Sequence, residues 1–249
     1  MAEPKRLYGM KALVTSAAGG IGEAVARTLA KHGATVFAVD TINSGIDTQF
    51  VGIRGIHGYP MDTNDAGGIQ ALVDAAAGKL GTIDIVVNDF FPRIRSPIGK
   101  DGPEVGQMLE TRTKLIMAMF RAALPYLQKS PAGRIVNIGY LRSVFGADAD
   151  DLSVRAARDL AAVTHALAAE SGKFGITANY VQPGGIMTGA SREVFRKDMD
   201  LRDYCIRNSA AGRLGEPIDV AKVVLFLASD DAVFVSGTGI AVDGGRVNV

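Results

Sequence analysis

The sequence is poor in the residues that build disulfide scaffolds and metal centres. It contains no tryptophan, three histidines and one cysteine, Cys205. A single cysteine excludes an internal disulfide bond, and no cysteine or histidine cluster has the spacing of metal ligands, so we expect no bound metal. This cysteine usage fits a reducing cytoplasm, which is the localisation that we expect.

Long apolar runs and an excess of one charge are also missing. The apolar runs fall short of the roughly 18 residues that a membrane span needs, and the N-terminal residues form no apolar signal region, so we expect no membrane association. Lysine and arginine total 27 against 26 acidic residues, a formal net charge of +1. No positive field therefore attracts nucleic acid. The expected partners are small molecules and further copies of the chain.

The sequence has the pattern of a single α/β domain over residues 1–249. Hydrophobic residues make up 47% of the chain, enough to bury a substantial core. Short apolar runs typical of buried parallel strands occur at 12–15, 35–39, 83–87, 134–138, 176–181 and 238–242, with a weaker one near 56–60. Helical spacing lies between them, at 20–32, 66–78, 103–129, 152–172 and 217–228. This alternation predicts a Rossmann fold, a doubly wound parallel sheet of about seven strands flanked by helices.

A glycine-rich turn after the first strand predicts a dinucleotide site. The turn runs from Thr15 to Gly22 and opens a helix, whose unpaired N–H groups can bind a pyrophosphate. The second strand ends at Asp40, where a carboxylate can bind both ribose hydroxyls and repel a 2′-phosphate. No arginine or lysine follows closely, so we expect NAD and not NADP. A ligand-free turn and a carboxylate that merely ends a strand are the alternatives.

One long segment, 184–212, shows no regular pattern, and its length is typical of a lid. We expect the lid at about 187–211. An apolar wall is expected from Met187, Phe195, Met199, Tyr204 and Cys205, and a cationic rim from Arg192, Arg196, Lys197 and Arg202. A surface helix with one buried stripe is the alternative.

These motifs resemble those of the short-chain dehydrogenase/reductase family. The turn is similar to the family's TGxxxGIG, with Ser16 in place of the first glycine, and residues 212–229 and 237–245 match the family's C-terminal pattern. The resemblance covers almost the whole chain. It implies a cofactor site formed by Ser16, Gly20, Ile21, Gly22, Asp40, Asp62, Asn88, Pro183, Gly184, Ile186 and Thr188.

The same resemblance implies that the usual catalytic residues are replaced. The family uses an Asn-Ser-Tyr-Lys tetrad, in which tyrosine transfers a proton and lysine lowers the pKa of that tyrosine. The corresponding positions here are Arg112, Tyr140, Ser153 and Ala157. Tyr140 and Ser153 look like an exchange of the two hydroxyl residues, and Arg112 is the candidate for a replacement charge. Packing roles for Tyr140 and Ser153 are the alternative.

Arginines nearer to Ser153 in sequence are expected to point elsewhere. At about 100° per residue, Arg155 and Arg158 lie roughly 160° and 140° around the helix from Ser153.

Another departure from the family's pattern is Asn88-Asp89-Phe90-Phe91, where relatives have the small residues of NNAG. Its aromatic side chains are expected to crowd the space beside the cofactor.

Three functions are compatible with these residues. The first is an NAD-dependent oxidoreductase that acts on a hydroxyl or carbonyl of a small, moderately apolar substrate, with an altered proton donor. The second is an NAD-binding protein without reductase activity, serving as a sensor, scaffold or subunit. The third is a non-redox lyase, because the Asn-Asp-aromatic stretch is similar to that of halohydrin dehalogenases. In each case the apolar helices 103–129 and 152–172 favour a homotetramer, with a dimer next.

Overall fold

Seven parallel strands form a single sheet. The computed structural model describes residues 6–63, 66–90, 105–145 and 150–246. The strands are β1 Lys11–Val14, β2 Thr35–Asp40, β3 Ile56–Pro60, β4 Ile85–Asn88, β5 Arg134–Ile138, β6 Thr177–Pro183 and β7 Gly239–Val242. Their order across the sheet is β3-β2-β1-β4-β5-β6-β7. The order reverses direction at β1, and a doubly wound sheet binds its ligands at such a point.

Helices cover both faces of this sheet. In the described part of the chain they are α1 Gly20–Lys31, α2 Ile46–Gln49, α3 Ile69–Leu80, α4 Val105–Leu127, α5 Asp150–Ser171, α6 Gly189–Lys197, α7 Met199–Arg207 and α8 Pro217–Ala228. Alternate strand residues supply two hydrophobic layers, since Val14 packs with α1 and α8, and Leu13 packs with α3, α4 and α5. None of the helices in the described ranges is long and apolar enough to cross a membrane.

The predicted Rossmann architecture is confirmed, and one predicted element is wrong. All seven expected strands form, and the five expected helical segments correspond to α1, α3, α4, α5 and α8. The segment 184–212 is not irregular, because it contains α6 and α7. Thr188 and Ser191 form a reciprocal capping box at the start of α6, and the Asp198 carboxylate accepts a hydrogen bond from Leu201 N–H at the start of α7. These caps stabilise two short helices whose apolar periodicity is interrupted by charge.

Candidate active site

A cleft of about 320 Å³ lies beyond the carboxyl ends of β1, β2, β4 and β5. We call it the glycine cleft, because Gly19 and Gly20 form one of its walls. Five of the predicted cofactor residues line it: Ser16, Gly20, Ile21, Asp40 and Thr188. Its position at the reversal of strand order is where a doubly wound sheet binds nucleotides.

The turn between β1 and α1 has a strained backbone. Ser16 has φ +51°, the one positive φ of a non-glycine residue within the described ranges. A left-handed conformation costs an L-residue about 1–2 kcal/mol, and glycine, which avoids that cost, is the residue that relatives are expected to have here. Six residues on, Gly22 packs directly against this turn. A Cβ atom on Gly22 would overlap the Ser16 carbonyl oxygen.

We expect Gly22→Ala to destabilise the fold by about 1–3 kcal/mol, because the added methyl group overlaps backbone atoms that cannot move aside. Urea denaturation measures the change. Gly78→Ala in α3 is the matched control, since a Cβ there has no neighbour within 4 Å and alanine favours a helix. A Gly22→Ala protein as stable as wild type would contradict this packing.

Asp40 is held in a fixed orientation at the edge of the glycine cleft. Its Oδ2 accepts a hydrogen bond from Ala18 N–H at 2.9 Å, and its Oδ1 accepts one from Thr41 N–H at 2.7 Å. Each carboxylate oxygen keeps a second acceptor position. No arginine or lysine is among the described residues that line this cleft. The Asp40 carboxylate is therefore a fixed negative charge on this wall of the cleft.

The other predicted cofactor residues do not line the glycine cleft. Asn88 is buried and its Nδ2 donates to Asn137 Oδ1 at 2.8 Å, so its side chain joins β4 to β5. Asp62 is exposed beyond β3, and its neighbour Thr63 lines the cleft instead. The remaining four are Gly22 behind the turn, buried Ile186, and Pro183 and Gly184, which line a different pocket.

That second pocket, of about 290 Å³, contains the two predicted hydroxyl residues. We call it the tyrosine pocket, because Tyr140 lines it together with Ser153 and Ala157 of α5. Gly139 and Leu141, on either side of Tyr140, line the glycine cleft. Residues 139–141 therefore form a wall that the two cavities share. Tyr204 and Cys205 bring α7 to the far side of the tyrosine pocket.

Arg112 packs behind Tyr140. The guanidinium carbon lies 3.9 Å from the centre of the Tyr140 ring, and the two side chains are 5% and 4% exposed. A cation this close to an aromatic face is attracted by its negative π surface. Burial raises the pKa of Tyr140 above its usual value, and the Arg112 charge opposes that rise without reversing it. Tyr140 is therefore a protonated donor at neutral pH.

Asp89 is a buried acid that belongs to the Asn-Asp-aromatic stretch and was not among the predicted site residues. It lines the glycine cleft, and its backbone N–H donates to Thr15 Oγ1 at 2.8 Å. Burial raises its pKa to about 7, against the attraction of Arg112, and the charge of Asp40 adds to the rise. The signal that could have found it is its position, one residue past the carboxyl end of a central parallel strand.

Two geometric expectations are wrong. Phe90 does not crowd the cofactor space, because it is buried in the hydrophobic layer between the sheet and α3 and α4. Phe91 lies outside the described residues. Arg158 does not point away from Ser153, since both residues line the tyrosine pocket. Its side chain is long enough to span the angle around the helix, whereas Arg155 is not among the residues that line that pocket.

Comparison with known proteins decides the family. A family model described as Enoyl-(Acyl carrier protein) reductase matches residues 16–246. The 3-oxoacyl-[acyl-carrier-protein] reductase FabG of Vibrio harveyi is 32% identical over 246 residues, 98% of this chain and 99% of the relative. The chain belongs to the short-chain dehydrogenase/reductase family. The reductase FabG of Escherichia coli K12 is 31% identical over 244 residues, with 97% and 98% covered. That of Thermotoga maritima is 30% identical over 247 residues, with 97% and 99% covered.

The short-chain dehydrogenases and reductases are a family of oxidoreductases, and this chain is one of its members. The match begins at Ser16 in the glycine turn and ends at Arg246, so it includes both cavities. The positions that the resemblance aligned with catalytic residues come together in space. Tyr140, Ser153 and Ala157 line the tyrosine pocket, and Arg112 packs on Tyr140. No group of three His, Cys, Asp or Glu suited to a metal occurs in the described part of the chain.

Proposed function

We propose that the protein is an NAD(H)-dependent oxidoreductase that acts on a hydroxyl or carbonyl of a small, moderately apolar substrate. In this proposal Tyr140 and Arg112 replace the usual proton donor of the family. The observation that carries it is the shared wall at 139–141, where Tyr140 faces one cavity and its two neighbours face the other. A substrate in the tyrosine pocket would thus lie next to a nucleotide in the glycine cleft.

The residues of the glycine cleft suit a dinucleotide. Gly19 has open space where a side chain would project, so the backbone leaves room for a phosphate. Ser16, Gly20 and Ile21 would hold the pyrophosphate, Asp40 the ribose, and Thr188 the nicotinamide amide. A bound nicotinamide would supply or accept the hydride. The lack of a cation beside Asp40 favours NAD over NADP, whose 2′-phosphate the carboxylate would repel.

For carbonyl reduction, the side chains have defined tasks. The Tyr140 hydroxyl donates its proton to the substrate oxygen as the carbonyl carbon gains the hydride, which leaves an alcohol and a phenolate. Arg112, over the ring at 3.9 Å, stabilises the negative charge that the phenolate acquires. Ser153 lines the same pocket and would orient the carbonyl by a hydrogen bond. Alcohol oxidation runs the same transfer in reverse.

We expect Asp40→Ala to weaken NAD binding by about 1–3 kcal/mol, the loss of hydrogen bonds to a charged acceptor. Because the carboxylate also accepts from Ala18 and Thr41, part of this loss comes from the loosened turn. Titration calorimetry with NAD and NADP measures the effect. Asp40→Asn is the paired variant, and it should bind NADP more tightly than wild type does. An unchanged NAD dissociation constant would reject the assigned ribose site.

The experiment that tests the proposed function combines nucleotide titration with a substrate panel. Binding of NAD(H) in preference to NADP(H), together with turnover of ketones or secondary alcohols, supports the oxidoreductase. Binding of NAD(H) without turnover leaves the second function, a nucleotide-binding protein without reductase activity. Absence of nucleotide binding, with halide release from a vicinal haloalcohol, leaves the non-redox lyase.

We also propose an oligomeric state and a cellular location for the protein. We propose a homotetramer, with a dimer next, formed through α4 and α5. Support comes from Met117, Leu124 and Tyr126 on α4, which are only partly buried. We propose that the protein works in the cytoplasm, and that a reducing environment keeps Cys205 as the thiol.

A further inference from the structure

The described residues of the tyrosine pocket carry an excess of positive charge. Three of them are arginines, Arg142, Arg158 and Arg246, against one acid, Asp243. The Asp243 carboxylate already accepts a hydrogen bond from Gly245 N–H at 2.9 Å. The rest of the described lining combines aromatic rings and small residues with two amide side chains, Gln182 and Asn208. An apolar cavity with excess cationic charge favours a ligand that has an apolar body and an anionic group.

This charge does not come from the rim that the sequence predicted. On α6, Arg196 and Lys197 both form ion pairs with Glu193. On α7, Arg202 pairs with Asp203. None of these cations is among the described residues that line the tyrosine pocket. The arginines of the pocket come from three other places, the turn after β5, the middle of α5 and the segment after β7.

Arg142 is a built part of the pocket wall. It is buried, its backbone N–H donates to Gly184 O at 3.1 Å, and its Nη1 donates to Phe145 O at 3.0 Å. Its guanidinium carbon lies 4.8 Å from the centre of the Tyr204 ring on α7. These contacts hold the guanidinium in place before any ligand binds, so little side-chain entropy is lost on binding.

Arg158 gives the pocket a second cation of different character. It is exposed on α5, and no ion pair of its side chain is found within the described residues. Because this guanidinium is exposed and lines the pocket, it can close on an anionic group without breaking an ion pair to any described residue. A planar guanidinium binds carboxylate and phosphate oxygens in bidentate fashion.

We propose that the tyrosine pocket selects substrates that carry an anionic group, a carboxylate or a phosphate ester, and that Arg142 and Arg158 determine this selectivity. That the bound anions are substrates rests on the proposed function. The binding preference itself needs no turnover, so the two proposals can fail separately.

Binding of small probes tests the proposal. Benzoate, phenyl phosphate and the neutral benzamide share one ring and differ in charge, and ligand-observed NMR gives their dissociation constants with and without NADH. We expect wild type to bind at least one anion about tenfold more tightly than benzamide, with the preference falling as salt rises. Arg158→Gln should reduce that preference several-fold, and Arg142→Lys should keep part of it. Arg155→Gln, on the exposed face of the same helix, should leave it unchanged.

Three results would overturn the proposal: equal affinity for anions and benzamide, no anion binding at 10 mM probe, or equal losses in Arg158→Gln and Arg155→Gln. Because Arg158 is exposed, its variant is expected to fold, and a thermal melt checks this. Anion selectivity without turnover of any carbonyl would leave this proposal standing and reject the oxidoreductase. Turnover of neutral ketones without anion preference would do the reverse.

Discussion

Tyr140→Phe is expected to lower kcat for carbonyl reduction by about 10²–10⁴-fold, the usual contribution of a positioned proton donor. The variant removes one oxygen atom and keeps the ring that packs under Arg112 and at 6.1 Å from Phe145. The affinity for NADH should stay the same, because Tyr140 lines the tyrosine pocket and not the glycine cleft. A loss of kcat without a loss of cofactor binding would identify the hydroxyl as the donor.

Steady-state kinetics on the best substrate of a carbonyl panel measures this effect, and NADH fluorescence measures binding. Tyr126→Phe is the matched control, since that tyrosine lies on α4 outside both cavities. The pH profile is a second readout. Burial keeps the pKa of Tyr140 above its usual value, so reduction should persist through neutral pH and fall on the alkaline side. Oxidation needs the phenolate and should rise there. A Tyr140→Phe enzyme with most of its activity would assign the proton to another group.

Arg112 should control where that alkaline transition lies. Its charge lowers the pKa of Tyr140, against the larger effect of burial. Replacing Arg112 by Met removes the cation and keeps an unbranched chain, so the alkaline limb of oxidation should move to higher pH.

Asp89→Asn is expected to make the protein more stable than wild type at neutral and alkaline pH. Burial raises the pKa of Asp89 from its usual 3.8 to about 7. Between these values the folded protein binds a proton that the unfolded chain releases, so the free energy of unfolding of wild type falls as pH rises. At about 1.4 kcal/mol per pKa unit, the loss approaches about 4 kcal/mol by pH 8. Asparagine has no such titration.

Urea denaturation at pH 4 to 8 measures the free energy of unfolding of wild type and of Asp89→Asn. The difference between the two free energies isolates the effect of Asp89. The difference should be smallest near pH 4 and reach its full value above pH 7. Asp74→Asn is the control, because its carboxylate is exposed on α3 and accepts only from Gln70 in the described structure. Parallel stability curves for wild type and Asp89→Asn would show that Asp89 ionises near its usual pKa, with Arg112 fully compensating the burial.

The glycine cleft was the part of the site most open to prediction. Ser16 lies in the turn between β1 and α1, Gly20 is the first residue of α1, and Asp40 is the last residue of β2. A parallel sheet brings the carboxyl ends of its strands to one edge. Predictions that needed a side-chain direction did less well. Asn88 turns inward to Asn137, and Phe90 enters the hydrophobic layer of α3 and α4. Consecutive residues of an extended chain project to opposite sides. An error of one residue in a prediction therefore changes which cavity a side chain is expected to face.

Local pattern by itself determined the α/β class, the seven strands, the five long helices and the place of the glycine turn, because each depends on the period of apolar residues and on backbone freedom over a few positions. Only the tertiary structure decided that Arg112 lies on Tyr140, that Asp89 is buried beside them, and that three arginines from separate segments line one pocket. These residues are distant in sequence. Their contacts, burial and pKa values arise when packed helices bring them together and exclude water. No local sequence pattern specifies how close these residues lie in space.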